Sequence, residues 1–445
     1  MNYNKSIFNI KCRDINNNLL IINTYSNKML RISKENEDEV LKILNNDLKI
    51  TNKNLVKKML DTGIIVKSDI NEMKIVKDEI EKSIYGYDFM NLTIVPTDAC
   101  NFNCKYCYQQ DQVHYMSDTV IKSLMKFVSV NIYNYKHLSL NWFGGEPLIC
   151  KDKVINISSE IKNICKKNKV NFIGSITTNG SELDISTFNK LIRNNILFYQ
   201  ITIDGINKTH NKYRRFKNGQ ESFDTIINNL RDIRDNIKLK VFQIAIRVNL
   251  TKEIDKYRED FLKFYKSEFG DDRRFYLYLE RVKDWGGVKI ENIKNEIINK
   301  ESDILLKWMN RATELNIQLP RFYEYNKYQS ICDGSKKNGF IVNYDGSLNK
   351  CTLAIYDEEF KDLNNIGNIN NSLDKVNIKK SNLWTGLNKR EKDCFNCSVL
   401  PFCGMVGCSY EKLKKSEIAC RKYEIIELFR LQAINASNFN KCIDI

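Results

Sequence analysis

The spacing of hydrophobic residues changes character along this chain, and each change marks a region. Near the start, the short runs IFNIK, LLIINT and MLRIS have strand composition. They are followed by SKENEDEVLKILNN, whose apolar residues recur at helical spacing behind Ser33 and Glu35. A second helical run, NKNLVKKMLDTG, closes on Gly63 as a helix C-cap, and IIVKS returns to strand character. Three strands, two helices and a final strand predict a winged-helix-like module over residues 1–85. The charged stretch DINEMKIVKDEIEKS ties it to the next region.

Over residues 90–320 the pattern alternates. The strand-like runs LTIVPT, LSLNWF, VNFIGSIT, FYQITID, KVFQIAIRVNL and RRFYLYLERV are separated by amphipathic helices such as SDTVIKSLMKFVSVNIY and ESFDTIINNLRDIRD. Repeated β–α units with apolar strands predict an α/β fold with a parallel sheet and helices outside it. Six units make a partial (β/α)6 barrel, in which functional residues gather at the C-terminal strand ends. Over residues 330–425 the periodicity fades and cysteines dominate, so metal coordination would replace a hydrophobic core in so small a module. Residues 426–445 read as a C-terminal helix.

No run of eighteen apolar residues predicts a membrane span, and the first residues lack a secretory signal, so the expectation is a cytoplasmic protein. The net charge of +15 is spread along the whole chain rather than patterned. It therefore points to no nucleic-acid partner and leaves room for an acidic peptide. The fourteen cysteines are clustered instead. Three lie at Cys100, Cys104 and Cys107, and seven more fall between Cys332 and Cys420. In a cytoplasmic chain such clusters bind metal more often than they form disulfides.

The first cluster, IVPTDACNFNCKYCYQQ, has C-x3-C-x2-C spacing just after the first barrel strand. Three thiolates so placed hold three irons of a cubane and leave the fourth iron open. A structural zinc site is the alternative. It needs four ligands, often as two close pairs, and His114 and His137 are poorly spaced to supply one.

With Tyr106 before its third cysteine, this segment resembles the signature of the radical S-adenosylmethionine (SAM) superfamily. Other positions agree in family order at successive strand ends. WFGGEP, with Gly144, Gly145, Glu146 and Pro147, resembles the motif that binds the amino group of S-adenosylmethionine. TTNG, with Thr178 and Asn179, resembles the ribose and carboxylate contact. ITIDG contributes Asp204, HNKYRR contributes Arg214, and RVN contributes Asn249. The resemblance implies a [4Fe–4S] cluster and S-adenosylmethionine as cofactors, with flavodoxin or ferredoxin as reductant.

The later cysteines resemble the SPASM domain, which carries two auxiliary [4Fe–4S] clusters in peptide- and protein-modifying members, for three clusters in all. By that resemblance Cys394, Cys397, Cys403 and Cys420 complete one cluster, and Cys332, Cys351 and Cys408 hold the other. The GMVG between Cys403 and Cys408 is one residue longer than the family spacing, and seven thiolates fall one short of two full sets. The eighth position is open, or filled by Cys442 or another ligand. An open iron there binds a substrate thiolate, or else these clusters only move electrons or hold structure. The N-terminal module resembles the leader-recognition element of enzymes that modify ribosomally made peptides, with a DNA-binding winged helix as the alternative. The combined expectation is a maturase of a leader-bearing precursor peptide that installs a cysteine thioether. The rivals are a carbon–carbon crosslink and an anaerobic sulfatase-maturating (formylglycine-generating) activity.

Overall fold

A computed structural model of the chain describes residues 3–14, 16–45, 52–110, 112–299, 303–320, 331–371, 376–385, 392–404, 407–415, 420, 422–438 and 443–445. Cys442, named above as an eighth thiolate, lies outside them. The chain divides into two compact units. One comprises Met1–Tyr85, Arg321–Lys336 and Gly386–Ile445; the other comprises Gly86–Pro320 and Lys337–Thr385.

The first unit opens with β1 (Tyr3–Lys5), β2 (Asn9–Arg13), β3 (Leu19–Asn23) and β4 (Lys28–Ile32). Then come α1 (Lys34–Leu44), α2 (Lys53–Asp61), β5 (Ile65–Lys67) and α3 (Glu72–Tyr85). β2, β3 and β4 form an antiparallel meander, and β1 pairs with β5. Every residue of β3 is buried. Leu19 and Ile21 face one core with Leu30, Ile32 and the apolar sides of α1 and α2. Leu20 and Ile22 face the other. A strand covered on both faces reads as a continuous apolar run, which is what LLIIN is. The stretch over 69–83, read from its charge as a connector, folds as α3. Val76, Ile80 and Ile84 recur every four residues and bury one stripe of it against the second core.

The second unit carries six parallel strands: β6 (Phe89–Ile94), β7 (His137–Trp142), β8 (Asn171–Thr178), β9 (Ile196–Thr202), β10 (Gln243–Leu250) and β11 (Phe275–Arg281). They pair in chain order. The helices α4 (Asp118–Asn131), α5 (Lys151–Lys167), α6 (Ile185–Arg193), α7 (Asn207–Tyr213), α8 (Phe223–Asn236), α9 (Lys252–Asp255), α10 (Arg258–Phe269) and α11 (Ile304–Glu314) follow or separate them. β7 shows why this sheet has two faces. Leu138, Leu140 and Trp142 are buried, while His137, Ser139 and Asn141 between them are half-buried and polar. This is the partial (β/α)6 barrel that the β–α repeats predict. Its sheet continues past β6 with β12 (Gly339–Val342), parallel to β6, and then β13 (Ser347–Asn349) and β14 (Asn365–Asn368), both antiparallel. The short helices α12 (Lys361–Asn364) and α13 (Ile378–Trp384) accompany them.

The chain then returns to the first unit with α14 (Leu400–Cys403), α15 (Ser409–Lys415), α16 (Lys422–Asn438) and β15 (Ile443–Asp444). Val399, Leu400, Ile425, Phe429 and Ala433 complete the second core together with Phe8, Leu20, Ile22 and α3. Among the described residues no helix is long and apolar enough to cross a membrane.

Candidate active site

The loop that leaves β6 carries Cys100, Cys104 and Cys107, and backbone bonds fix it from several sides. Asn103 N donates to Arg215 O (2.9 Å), Lys105 N to Tyr213 O (3.0 Å) and Cys107 N to Cys104 O (3.2 Å). Gly145 N donates to Thr97 O (3.1 Å) and Glu146 N to Ala99 O (2.8 Å), so the GGE segment lies directly on this loop. The contact demands glycine. A Cβ on Gly145 would stand 2.1 Å from Ala99 O, and one on Gly144, whose φ is +140°, would stand 2.4 Å from Thr97 O. Gln109 Nε2 adds a bond to Gly144 O (2.9 Å).

Glu146 is buried, and three donors hold its carboxylate. Thr178 Oγ1 (2.7 Å) and Leu148 N (3.0 Å) reach Oε1, and Asn179 N (2.6 Å) reaches Oε2. Pro147 starts the short helical turn that Glu146 caps. Burial pushes the Glu146 carboxyl up to about 7, although these donors and the Arg214 charge oppose the shift. Asn179 Nδ2 donates to Asn101 Oδ1 (2.7 Å), which ties the end of β8 to the cysteine loop.

A second buried network centres on the Tyr106 hydroxyl. It donates to Asp204 Oδ2 in a short bond and accepts from Arg214 Nη1 (2.8 Å) and Asn249 Nδ2 (3.0 Å). Asn249 N donates to Asp204 Oδ1 (2.8 Å), and His210 Nδ1 accepts from Asp204 N (3.2 Å). Burial raises the Asp204 carboxyl and Tyr106 hydroxyl, and it drives His210 well below its ordinary range, so that ring is neutral. The Arg214 guanidinium lies 5.6 Å from the Phe102 ring centre, and its buried Nε has no hydrogen-bond partner among the described residues. Tyr106, Asp204, Arg214 and Asn249 thus meet in one place, as do Glu146, Thr178 and Asn179.

These residues fit an iron–sulfur cluster and S-adenosylmethionine. None of the three cysteines is in a disulfide. Burial pushes the Cys100 thiol up to about 12 and the Cys104 thiol up to about 11, with the Arg214 charge opposing the shift at Cys104. Thiols so shifted ionise on taking a cation, because a metal displaces the proton. The orphaned Arg214 Nε beside them is a donor without an acceptor, as a polar ligand requires. Among the described residues no three His, Cys, Asp or Glu side chains converge as the cage of a single ion would. A cubane asks for something different, since each thiolate meets its own iron.

The later cysteines fall in both units. In the first unit Cys394, Cys397 and Cys403 pack against the second core beside Phe395, Phe402 and Phe429. There too Cys408 Sγ accepts from Glu411 N (3.5 Å), and Cys332 and Cys420 are exposed. In the second unit Cys351 follows β13, where its N–H donates to Asn364 Oδ1 (2.8 Å). No disulfide joins any of the thirteen described cysteines.

Asn101, Gln109, His210 and Arg247 escaped the sequence reading. Arg247 stands two residues before Asn249 on β10. Its Nε donates to Asn249 Oδ1 (2.8 Å), and its guanidinium lies 5.6 Å from the Tyr278 ring centre. The i, i+2 spacing within RVN, which puts both residues on one face of a strand, is the signal that marks it.

Comparison with known proteins agrees with this geometry. Residues 94–265 match the Radical SAM superfamily. The cysteine-type anaerobic sulfatase-maturating enzyme of Clostridium novyi (strain NT) is 25% identical over 362 residues, 73% of this chain and 88% of that protein. The radical SAM cyclopropyl synthase TigE of Paramaledivibacter caminithermalis is 23% identical over 237 residues, 48% of this chain and 49% of that protein. Among solved structures, anSMEcpe with bound AdoMet and Kp18Cys peptide matches with a TM-score of 0.57 and 18% identity. The match covers 79% of this chain and 99% of that one, a likeness of fold alone. The spacing of its cysteines, the order of its strand-end residues and this match together establish residues 94–265 as a radical SAM domain.

Proposed function

We propose that this chain matures a ribosomally made precursor peptide and installs a crosslink on it, with a cysteine thioether as the favoured product. One observation carries the reading. The buried Tyr106–Asp204–Arg214–Asn249 network and the Glu146 cluster both close on the Cys100–Cys107 loop, inside a domain whose relatives include a sulfatase-maturating enzyme. Cys100, Cys104 and Cys107 would hold a [4Fe–4S] cluster, and Gly144, Gly145, Thr178, Asn179 and Arg214 would border the S-adenosylmethionine. When bound, the pair supplies a 5′-deoxyadenosyl radical that removes hydrogen from carbon. The protein's own work is placement. Glu146 locks the end of β8 to the glycine segment, and Tyr106 aims Arg214. The apolar wall of Phe102 and Phe216, 4.8 Å apart, excludes water.

Cys394, Cys397, Cys403 and Cys420 would hold one auxiliary cluster, and Cys332, Cys351 and Cys408 would contribute to a second. Thioether formation would remove two hydrogens from the peptide, one as an atom taken by the deoxyadenosyl radical and one as the thiol proton, with the one remaining electron passing to an auxiliary cluster. Flavodoxin or ferredoxin would serve as the reductant for the radical step. The N-terminal sheet would receive the leader as an added strand.

Mass spectrometry after anaerobic turnover tests this on a cysteine-containing leader-plus-core peptide. The expected product lacks two hydrogens, has its cysteine blocked from alkylation, and depends on the leader. Loss of two hydrogens with a free cysteine would redirect the reading to a carbon–carbon bond. The Clostridium novyi relative favours a second reading, formylglycine formation. Exchange of the cysteine sulfur for a carbonyl oxygen, with no need of a leader, would establish that one instead.

A further inference from the structure

The four-stranded sheet of the first unit runs β15–β4–β3–β2, so β4 has the antiparallel meander on one side and a two-residue strand on the other. That strand is parallel to β4, with Ile443 opposite Leu30 and Asp444 opposite Arg31. Ile445 N donates to Arg31 O (2.9 Å), and Ser33 N donates to Ile445 O (2.8 Å). Side chains read the strand as well. Arg31 grips Asp444 with a two-pronged fork, Nε to Oδ1 at 2.6 Å and Nη2 to Oδ2 at 2.9 Å. Lys58 Nζ on α2 donates to Asp444 O (2.8 Å). Ile445 packs against the core formed by Leu30, Ile32 and the buried faces of α1 and α2.

We propose that the edge of β4 is a peptide-docking site and that residues 443–445 are a resident stand-in for its ligand. The ligand is an extended peptide segment carrying an acidic residue followed by an aliphatic one. The acidic side chain takes the Arg31 fork, the next side chain takes the place of Ile445, and the backbone adds to β4. A strand edge with N–H and C=O groups to offer is a template for one more strand, and this one carries its own cover. The cover is short, two paired residues with Ile445 beyond them, and its ion pair is half-exposed. A longer strand with the same pattern would therefore displace it. The proposal rests on the reading of this unit as a leader-binding module, and it adds what the leader must display and what it must expel.

The test uses a fluorescent synthetic peptide of residues 436–445 with Cys442→Ser, titrated by anisotropy against the full chain, a chain ending at residue 438, and full-length Asp444→Arg. The last variant expels the resident strand without shortening the protein. A tethered strand competes at millimolar effective concentration, so the peptide should bind the truncated and Asp444→Arg proteins about tenfold more tightly than the full chain. Arg31→Gln in the truncated protein, or Asp444→Asn in the peptide, should each weaken binding about tenfold. Equal affinity for all three proteins, absence of binding to both altered ones, or indifference to Arg31→Gln would overturn the proposal. If the truncated protein loses its circular dichroism, Asp444→Arg alone decides, with Arg31→Gln placed in that background. The probe is independent of any substrate. Failure here with a leader-dependent turnover would place the leader elsewhere on the chain. Success here with leader-independent turnover would leave a peptide site that serves another partner.

Discussion

Cys104 and Cys397 are buried to nearly the same degree, 8% and 9% exposed, yet their surroundings differ in kind. Cys104 lies within the field of Arg214, Asp204 and Tyr106, and each of those groups is hydrogen-bonded to another. Cys397 lies among Val399, Leu400, Ile425 and Phe429, in a core shared with the N-terminal sheet. The same residue type thus lies within a hydrogen-bonded polar network in one unit and among aliphatic and aromatic side chains in the other.

The sharpest way to break this comparison is to disturb one residue on each side. Cys104→Ala should abolish release of 5′-deoxyadenosine, read by chromatography after anaerobic turnover. Release that persists would place the cofactor elsewhere. On the apolar side, Phe429→Ala should lower unfolding free energy by about 3–5 kcal/mol, the range for emptying a buried aromatic site. A denaturant midpoint unchanged from wild type would mean that α16 is not part of that core.

Glu146 gives a subtler test. Its folded carboxyl is raised to about 7 from an ordinary 4.5, so between those values the folded chain holds a proton that the unfolded chain releases. Its contribution to stability is therefore full below pH 4.5, falls as pH rises, and is lost above pH 7. The whole swing is about 3 kcal/mol. Denaturant midpoints of the metal-free chain from pH 5 to pH 8 should fall more steeply in wild type than in Glu146→Gln, and parallel curves would refute the shift. Smallest is Tyr106→Phe, which strands Asp204 Oδ2 and two donors and should cost about 1–3 kcal/mol. It should also weaken S-adenosylmethionine binding in calorimetry while leaving iron content unchanged. Loss of iron instead would make Tyr106 a part of the cluster's own support.

Much of the second unit was legible because its signals are local. Three cysteines within eight residues, two adjacent glycines before Glu146, and a polar residue at the end of each apolar strand are short-range patterns, and β–α repetition places strand ends side by side. Hydrogen bonds such as Gln109 to Gly144 and Asp204 to His210 were not legible, since those partners carry no periodic or motif signature. In the first unit the three strands and two helices of the opening residues were readable from their periods. The role of α3 was masked by its charged residues, although its buried stripe of Val76, Ile80 and Ile84 was present in the spacing.

The sequence by itself determined the close spacing of Cys100, Cys104 and Cys107, the parallel strands that present Glu146, Asp204 and Asn249, and the strand character of β2, β3 and β4. Each depends on neighbours a few residues away or on a repeated period. Only the tertiary structure decided that β12 extends the barrel sheet beside β6, that α16 shares a core with β3, and that Ile443–Asp444 covers the edge of β4. Those pairings join segments hundreds of residues apart. Complementary surfaces select them once the chain is compact, and no local propensity records that choice.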